Sequence, residues 1–365
     1  MRHHQPLILG GGPAGAAAAI ALARAGHRPL LLERTRETGD ALCGGFLSWR
    51  SLAALARLGI EPDTLNRRRI DRVRLFAGER MVESPLPRPA LAVSRRTLDA
   101  ALLAKVDRVE RGVAARTAEA GAVRLADGAM LHPAALFLAT GKHDLRGLAR
   151  PEAARGADPV LGLRVRLPAS AALDRLVGDT IELHCFARGY AGVARQEDGS
   201  VNLCMAVHRS RLDAAGTPAA LLALLGTESP ALGKRLAHMA DAPAIDAIAN
   251  VPYGWRQRAG TPGLFRLGDQ AAVIPSLAGE GMGIALASGV AAAAAFVQGG
   301  PTAADRYQRR FARAAARPMA VAGLCWRLSE RPAAARWLAV MPPALIQVIA
   351  GLTRIGHASV QRRSS

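Results

Sequence analysis

Three glycines spaced Gly10-x-Gly12-x-x-Gly15 follow the apolar run Leu7-Ile8-Leu9 and open an Ala-rich stretch. That spacing permits a tight turn and lets backbone approach a pyrophosphate, whose charge the N–H groups of a helix start can hold. Pro13 and Ala14 lie inside the same turn. Glu33 follows at the end of the run Pro29 to Leu32, where a carboxylate can accept from ribose hydroxyls. Arg34 beside it can meet adenine or phosphate, or stand in solvent. Strand, turn, helix, strand and terminal acid together predict a bound dinucleotide. A glycine turn built only for close packing would not require the acid.

A second set lies far along the chain. Gly268-Asp269 ends the apolar run Leu264 to Leu267, and Gly279-Glu280-Gly281-Met282 opens a long apolar stretch. An Asp so placed can accept from ribityl hydroxyls, and a helix start stabilises negative charge on a reduced flavin ring. The alternative is an Asp that caps its own loop. Cys43, in the Gly-rich loop Cys43-Gly44-Gly45, offers a thiol that can tune a ring or donate a proton, or simply a small residue chosen for fit. Tyr190 can protonate a substrate or pack half-buried. Phe46, Trp49, Phe186, Tyr190, Tyr253 and Trp255 fall in or beside these stretches and predict an aromatic-lined pocket for a hydrophobic substrate. Tyr253 and Trp255 also suit a domain seam. His143 reads as a loop histidine or a phosphate contact. Cys185, Cys204 and Cys325 read as core, and His3 and His4 as a polar arm. No Ser-His-Asp set and no metal-ligand spacing stands out, so no metal is expected.

The elements that position these residues can be read from periodicity and punctuation. Leu7 to Leu9, Pro29 to Leu32, Ala134 to Ala139 and Leu264 to Leu267 are continuous apolar runs, as strands of a buried parallel sheet are. Ala16 to Ala25 is a helix closed by Gly26, and Ser94 caps a helix running to Lys105. Ile70 to Ala77 alternates as a strand. Gly162 to Leu167, Thr180 to Phe186, Tyr190 to Arg195 and Ser200 to Val207 form a mixed, largely antiparallel module with a hairpin turn at Asp198-Gly199. Helices dominate from Gly283 onward. The expected division is 1–150 for the first part of the dinucleotide domain, 151–258 for a substrate sheet, 259–300 for the returning Gly-Asp segment and 301–365 for a helical end.

Composition bounds the reading. The chain has 365 residues, 50% of them hydrophobic, which suffices for a sizeable core and excludes disorder. Its four cysteines are far apart, which argues against a disulfide scaffold and fits a reducing compartment. The net charge is +19, yet the arginines are scattered and the aromatics amount to 4%, so no nucleic-acid partner is expected. The N-terminal run is broken by glycines and reads as no secretory signal, and a cytoplasmic location is the expectation. The nearest approach to a membrane span, Trp337 to Leu352, is interrupted by Pro342 and Pro343. Arg327, Arg331, Arg336 and Arg354 flank it, leaving two readings: peripheral membrane contact or a helix packed on the domain. The oligomeric state cannot be read.

The paired motifs resemble the FAD-binding flavoprotein superfamily typified by para-hydroxybenzoate hydroxylase and, within it, most closely the geranylgeranyl reductase family. Cys43-Gly44-Gly45-Phe46-Leu47-Ser48 resembles that family's Cys-Gly stretch beside the flavin. Arg95, followed by Leu98 and Asp99, resembles its Arg-x-x-hydrophobic-Asp helix start, and Gly279-Glu280-Gly281-Met282 its Gly-Glu-Gly turn. The resemblance implies an α/β fold: a Rossmann-like FAD-binding domain of the para-hydroxybenzoate hydroxylase/glutathione reductase type, a mixed mostly antiparallel substrate sheet and a helical C-terminal region. It implies FAD held by Gly10, Gly12, Pro13, Ala14, Gly15, Glu33, Arg34, Cys43, Gly44, Arg95, Gly141, Asp269, Gly279, Gly281 and Met282, with NAD(P)H or another reductant supplying electrons. Two departures stand out. Where hydroxylases carry an Asp-Gly motif, this chain reads Ala139-Thr140-Gly141-Lys142-His143-Asp144, without the acid. Where the reductases carry Tyr-x-Trp-x-Phe-Pro, it reads Tyr190-Ala191-Gly192-Val193-Ala194-Arg195. The Gly-Glu-Gly turn and the missing acid imply reduction of a carbon–carbon double bond in a hydrophobic, isoprenoid- or polyketide-like substrate, and the changed strand implies a pocket shaped for something other than the family's usual prenyl chain. Oxygen-dependent hydroxylation and flavin binding without turnover are the alternatives.

Overall fold

The computed structural model describes residues 5–119 and 121–356; His3 and His4 lie outside them. The chain opens with β1 (Pro6–Leu9), α1 (Pro13–Arg24) and β2 (Leu30–Glu33). β3 (Phe46–Leu47), α2 (Trp49–Arg57) and α3 (Pro62–Leu65) follow, then a long hairpin of β4 (Ile70–Ala77) and β5 (Arg80–Ala92). α4 (Arg95–Leu103), β6 (Val109–Arg111), a meander of β7 (Ala115–Glu119), β8 (Ala122–Leu125) and β9 (Met130–Leu131), and β10 (Ala135–Leu138) complete the first part. The middle comprises β11 (Val160–Leu167), α5 (Ala171–Val177), β12 (Thr180–Phe186), β13 (Gly189–Arg195), β14 (Val201–His208), three helices α6 (Arg209–Ala215), α7 (Pro218–Glu228) and α8 (Pro230–Leu236), and β15 (Ile245–Val251). β16 (Leu264–Arg266) leads to α9 (Gly281–Gly299), α10 (Ala304–Ser329), α11 (Pro332–Leu338) and α12 (Pro343–Leu352).

β16, β10, β1, β2 and β6 lie side by side in a parallel sheet. Its strands are short and apolar on both faces because both faces are covered. Ile8, Leu31, Phe137 and Phe265 point towards α1 and α9. Leu7, Leu9, Leu32 and Leu138 point towards the three-stranded β7–β9 meander. Ser94 caps α4 by accepting from the Thr97 N–H, and Gly26 closes α1 at φ +83°.

The second sheet has eight strands in the order β15-β11-β14-β13-β12-β4-β5-β3. Ile70 to Ala77 therefore belongs to this sheet and not to the dinucleotide unit that surrounds it in sequence: β4 pairs in parallel with β12, Val73 opposite Ile181. Nothing local in a strand says which sheet will accept it. α5, α7 and α8 cover one face with a leucine-rich core. The opposite face looks towards the parallel sheet, and the space between them is the cavity described below. The helical run Gly281–Ser329 is long and apolar enough to cross a membrane by length and composition, but 61% of its apolar window is buried inside the protein.

Candidate flavin and substrate site

The cradle is built by backbone. Gly10 has φ +105°, and a Cβ there would fall 2.5 Å from the Ala139 carbonyl oxygen. A Cβ on Gly15 would fall 2.0 Å from the Gly10 oxygen, so Gly15 seats α1 against the strand end and does not itself line the cavity. Gly12 is the N-cap of α1 and no side chain caps that end. It opens, with Pro13 and Ala14, on a cavity of about 910 Å³. Glu33 accepts from the Gly11 N–H at 2.7 Å and from the Thr35 N–H at 2.9 Å, which fixes its carboxylate at the cavity wall. Arg34 reaches His143 at 2.9 Å, and both line the same wall.

Arg95 stands over the helix start, its guanidinium 3.2 Å from where a Gly12 Cβ would be. Asp99 holds it in a two-pronged pair at 2.9 and 2.7 Å. Burial works against the Arg95 charge, but the Asp99 carboxylate outweighs it and raises its pKa. Asp269 lies opposite and pairs with Lys142 at 3.0 Å. That pair raises the Lys142 pKa against burial. Arg150 ties the two loops together, donating to the carbonyl oxygens of Asp269 at 2.9 Å and Lys142 at 2.6 Å. The loop after β10 thus places a cation, Lys142, facing Asp269. In the sequence Lys142 stands inside the quoted stretch Ala139 to Asp144 with no role assigned to it, and Arg150 lies beyond any quoted motif.

The loop carrying Cys43 is clamped from outside. Asp40 accepts from the Arg95 N–H and from Arg164 of β11, each at 3.0 Å, and also from Arg166. These arginines lower the Asp40 pKa against its burial. Asn202 of β14 donates to the Cys43 carbonyl at 2.9 Å. Cys43, Gly44 and Phe46 line the cavity, as do Gly141, Gly279, Gly281 and Met282. Glu280 turns away from it. Its carboxylate accepts from Ser48 at 3.1 Å, from Arg354 at 2.9 Å and from the Ile355 N–H at 3.0 Å.

These residues suit FAD. An uncapped helix start and the half-buried Arg95 would meet a diphosphate, Glu33 stands at the end of β2 and Asp269 just after β16, and the cavity continues past Cys43 into a second arm. That arm runs under the eight-stranded sheet, walled by Val73, Leu75, Ile181 and Leu183 and roofed by Leu338, Ile346 and Ile349. Tyr190 and Tyr253 converge there on one serine: the Tyr190 hydroxyl donates to Ser276 Oγ at 2.7 Å, and Tyr253 meets the same oxygen. Burial pushes both phenols up, Tyr253 to about 12.

Several expected placements differ. Trp49, Phe186 and Trp255 do not line the cavity. Phe186 shares strand parity with Glu182 and His184, on the far face of β12, and packs under α5 and α7. Trp49 lies against Arg354, 5.3 Å from ring to guanidinium. Trp255 packs behind Tyr190 and Trp326. Cys204 and Cys325, expected in the core, line the cavity, whereas Cys185 is buried. Burial raises the Cys204 thiol to about 12, so it stands there as a neutral, weakly polar wall.

Comparison with known proteins agrees with this fold. The FAD binding domain family matches residues 4–133. A menaquinone reductase of Mycolicibacterium smegmatis is 27% identical over 329 residues, 81% of this chain and 77% of its own. Among solved structures, a probable FAD-dependent monooxygenase from Pseudomonas aeruginosa, PqsL, superposes with a TM-score of 0.71 at 17% identity, covering 92% of this chain and 99% of its own. A geranylgeranyl bacteriochlorophyll reductase-like protein from Thermoplasma acidophilum superposes with a TM-score of 0.68 at 17% identity, covering 98% and 95%. The chain therefore carries an FAD binding domain over residues 4–133, and its fold is that of the para-hydroxybenzoate hydroxylase-type flavoproteins.

Proposed function

We propose that this protein reduces a carbon–carbon double bond of a hydrophobic, isoprenoid- or polyketide-like substrate, in the manner of the geranylgeranyl reductases. The observation that carries the reading is the second arm of the cavity. It leaves the FAD cradle, is walled by aliphatic side chains and holds the Tyr190–Ser276–Tyr253 hydroxyls. The likeness to a menaquinone reductase over most of both chains supports it. When bound, reduced FAD supplies a hydride. The other carbon of the double bond then needs a proton, and the Tyr190 hydroxyl, protonated at neutral pH as any phenol is and held so more firmly by burial, lines the arm. Ser276 and Tyr253 are placed to replace that proton. The sheet and α12 line the arm with apolar side chains, and the Asp40–Arg164 clamp ties the Cys43 loop to β11.

The test is to load the protein with FAD, reduce it anaerobically and add menaquinone or a prenylated alkene in detergent. The expected outcome is return of the oxidised flavin absorbance without oxygen and a product that is still two hydrogens heavier after any quinol has been reoxidised in air. Substrate-dependent oxygen uptake with a hydroxylated product would instead establish a monooxygenase. A flavin that exchanges electrons with neither would mark a binding protein.

A further inference from the structure

α11 and α12 are apolar on two sides. Leu338, Met341, Ile346 and Ile349 line the cavity from within. The outer side exposes Trp337 (75%), Val340 (51%), Leu345 (45%) and Val348 (55%). α12 contains no charged residue. A helix apolar all round is ordinarily buried, so this outer face lacks a partner. What surrounds it is basic: Arg327, Arg331 and Arg336 are exposed, as is Arg88 on the proline-rich part of β5 that α12 covers. From Arg331 to Ser365 the sequence holds five arginines, of which Arg354 is buried against Glu280, and no Asp or Glu. The two helices have 7 and 10 residues and meet at 106°, too short and too bent to cross a bilayer of about 30 Å.

We propose that the outer face of α11 and α12 docks in the interface of an anionic lipid membrane, and that hydrophobic substrate enters the cavity from that membrane beneath α12. Trp337 beside Arg336 is the pairing of an amphipathic ring and a cation that settles at headgroup level. A second copy of the chain is disfavoured as occupant, since apposing two such faces would bring the same arginines together. The route of the substrate rests on the proposed reaction; the docking does not.

The FAD-loaded full chain is mixed with phosphatidylcholine vesicles and with vesicles one third phosphatidylglycerol, with no substrate present, and sedimented. Binding to the anionic vesicles should be at least about tenfold tighter. Arg331→Gln and Arg336→Gln should each weaken it about fivefold, and Trp337→Glu with Val348→Glu should abolish it while the protein keeps its flavin and its melting temperature. Failure to bind either vesicle, equal binding to both, or undiminished binding of the double variant would overturn the proposal. So would a lipid-independent dimer that Trp337→Glu dissolves. Because no substrate is added, any of these leaves the proposed reaction untouched.

Discussion

Ser276 Oγ receives two tyrosine hydroxyls in the wall of an otherwise aliphatic cavity arm, and such a cluster costs desolvation unless its protons are used or fully paired. Tyr190→Phe removes the donor without disturbing the cradle around Gly12 and Arg95. Flavin content should stay at the wild-type level while kcat falls about 10²- to 10⁴-fold. Single-turnover reoxidation with a solvent isotope effect checks this, because a purely structural role would slow turnover without changing that effect. Gly10→Ala tests the other end of the cavity. A side chain at φ +105°, 2.5 Å from a carbonyl oxygen, forces β1 and β10 apart, so the variant should fold poorly or emerge without flavin. The ratio of flavin to protein absorbance measures it. The two residues differ in legibility. Gly10 belongs to a spacing whose backbone consequence is local, so the sequence alone shows it. Ser276 acquires its meaning only when β13 and the loop before α9 are brought together, and no local pattern marks it.

Strand β12 illustrates the same limit among elements. Its existence was plain from Thr180 to Phe186, but its neighbours and its facing were not. Ile181 and Leu183 line the cavity, and the next parity carries Glu182, His184 and Phe186 into the far layer. There Arg235 of α8 grips Glu182 at 2.9 and 2.6 Å, Arg74 of β4 lies at 3.5 Å, and His184 sits 3.3 Å from Glu182 with its ring stacked on Phe76. His184 Nδ1 has no partner among the described residues. Burial lowers the His184 pKa below its ordinary 6.5, with Arg235 adding to the effect and Glu182 opposing it. The unfolded chain therefore binds a proton that the folded chain refuses. The stability this gives is complete above pH 6.5 and is lost as pH falls through the folded-state pKa. The melting temperature should drop as pH is lowered from about 7.5 to 5, and His184→Phe should flatten that slope. Equal slopes in the two proteins, measured by scanning fluorimetry, would exclude His184 as the cause.

Across the whole molecule, three segments distant in sequence meet at one buried carboxylate. Glu280, fully buried in the turn before α9, accepts from Arg354 and from the Ile355 N–H of the C-terminal segment, and from Ser48 in the flavin loop. Arg354 is itself 4% exposed, donates to the Ala278 carbonyl at 2.6 Å and lies against Phe46 and Trp49. Glu280 read in sequence as part of a flavin turn, and Arg354 as a flank of an apolar stretch. Their pairing spans 74 residues and had no signature in either motif. It makes the turn beside the flavin and the roof of the substrate arm one mechanical unit. Removing Arg354 leaves a buried carboxylate without its charge partner, and such a loss costs about 3–5 kcal/mol. Arg354→Ala should therefore lower the melting temperature by several degrees and release flavin at that lower temperature, read as flavin fluorescence in the same scan. Pairing Arg354→Met with Glu280→Gln should restore part of the loss, because neither charge then remains buried. If the single variant melts and releases flavin as the wild type does, the C-terminal segment is a passive cover and the tie between roof and flavin turn has no energetic content.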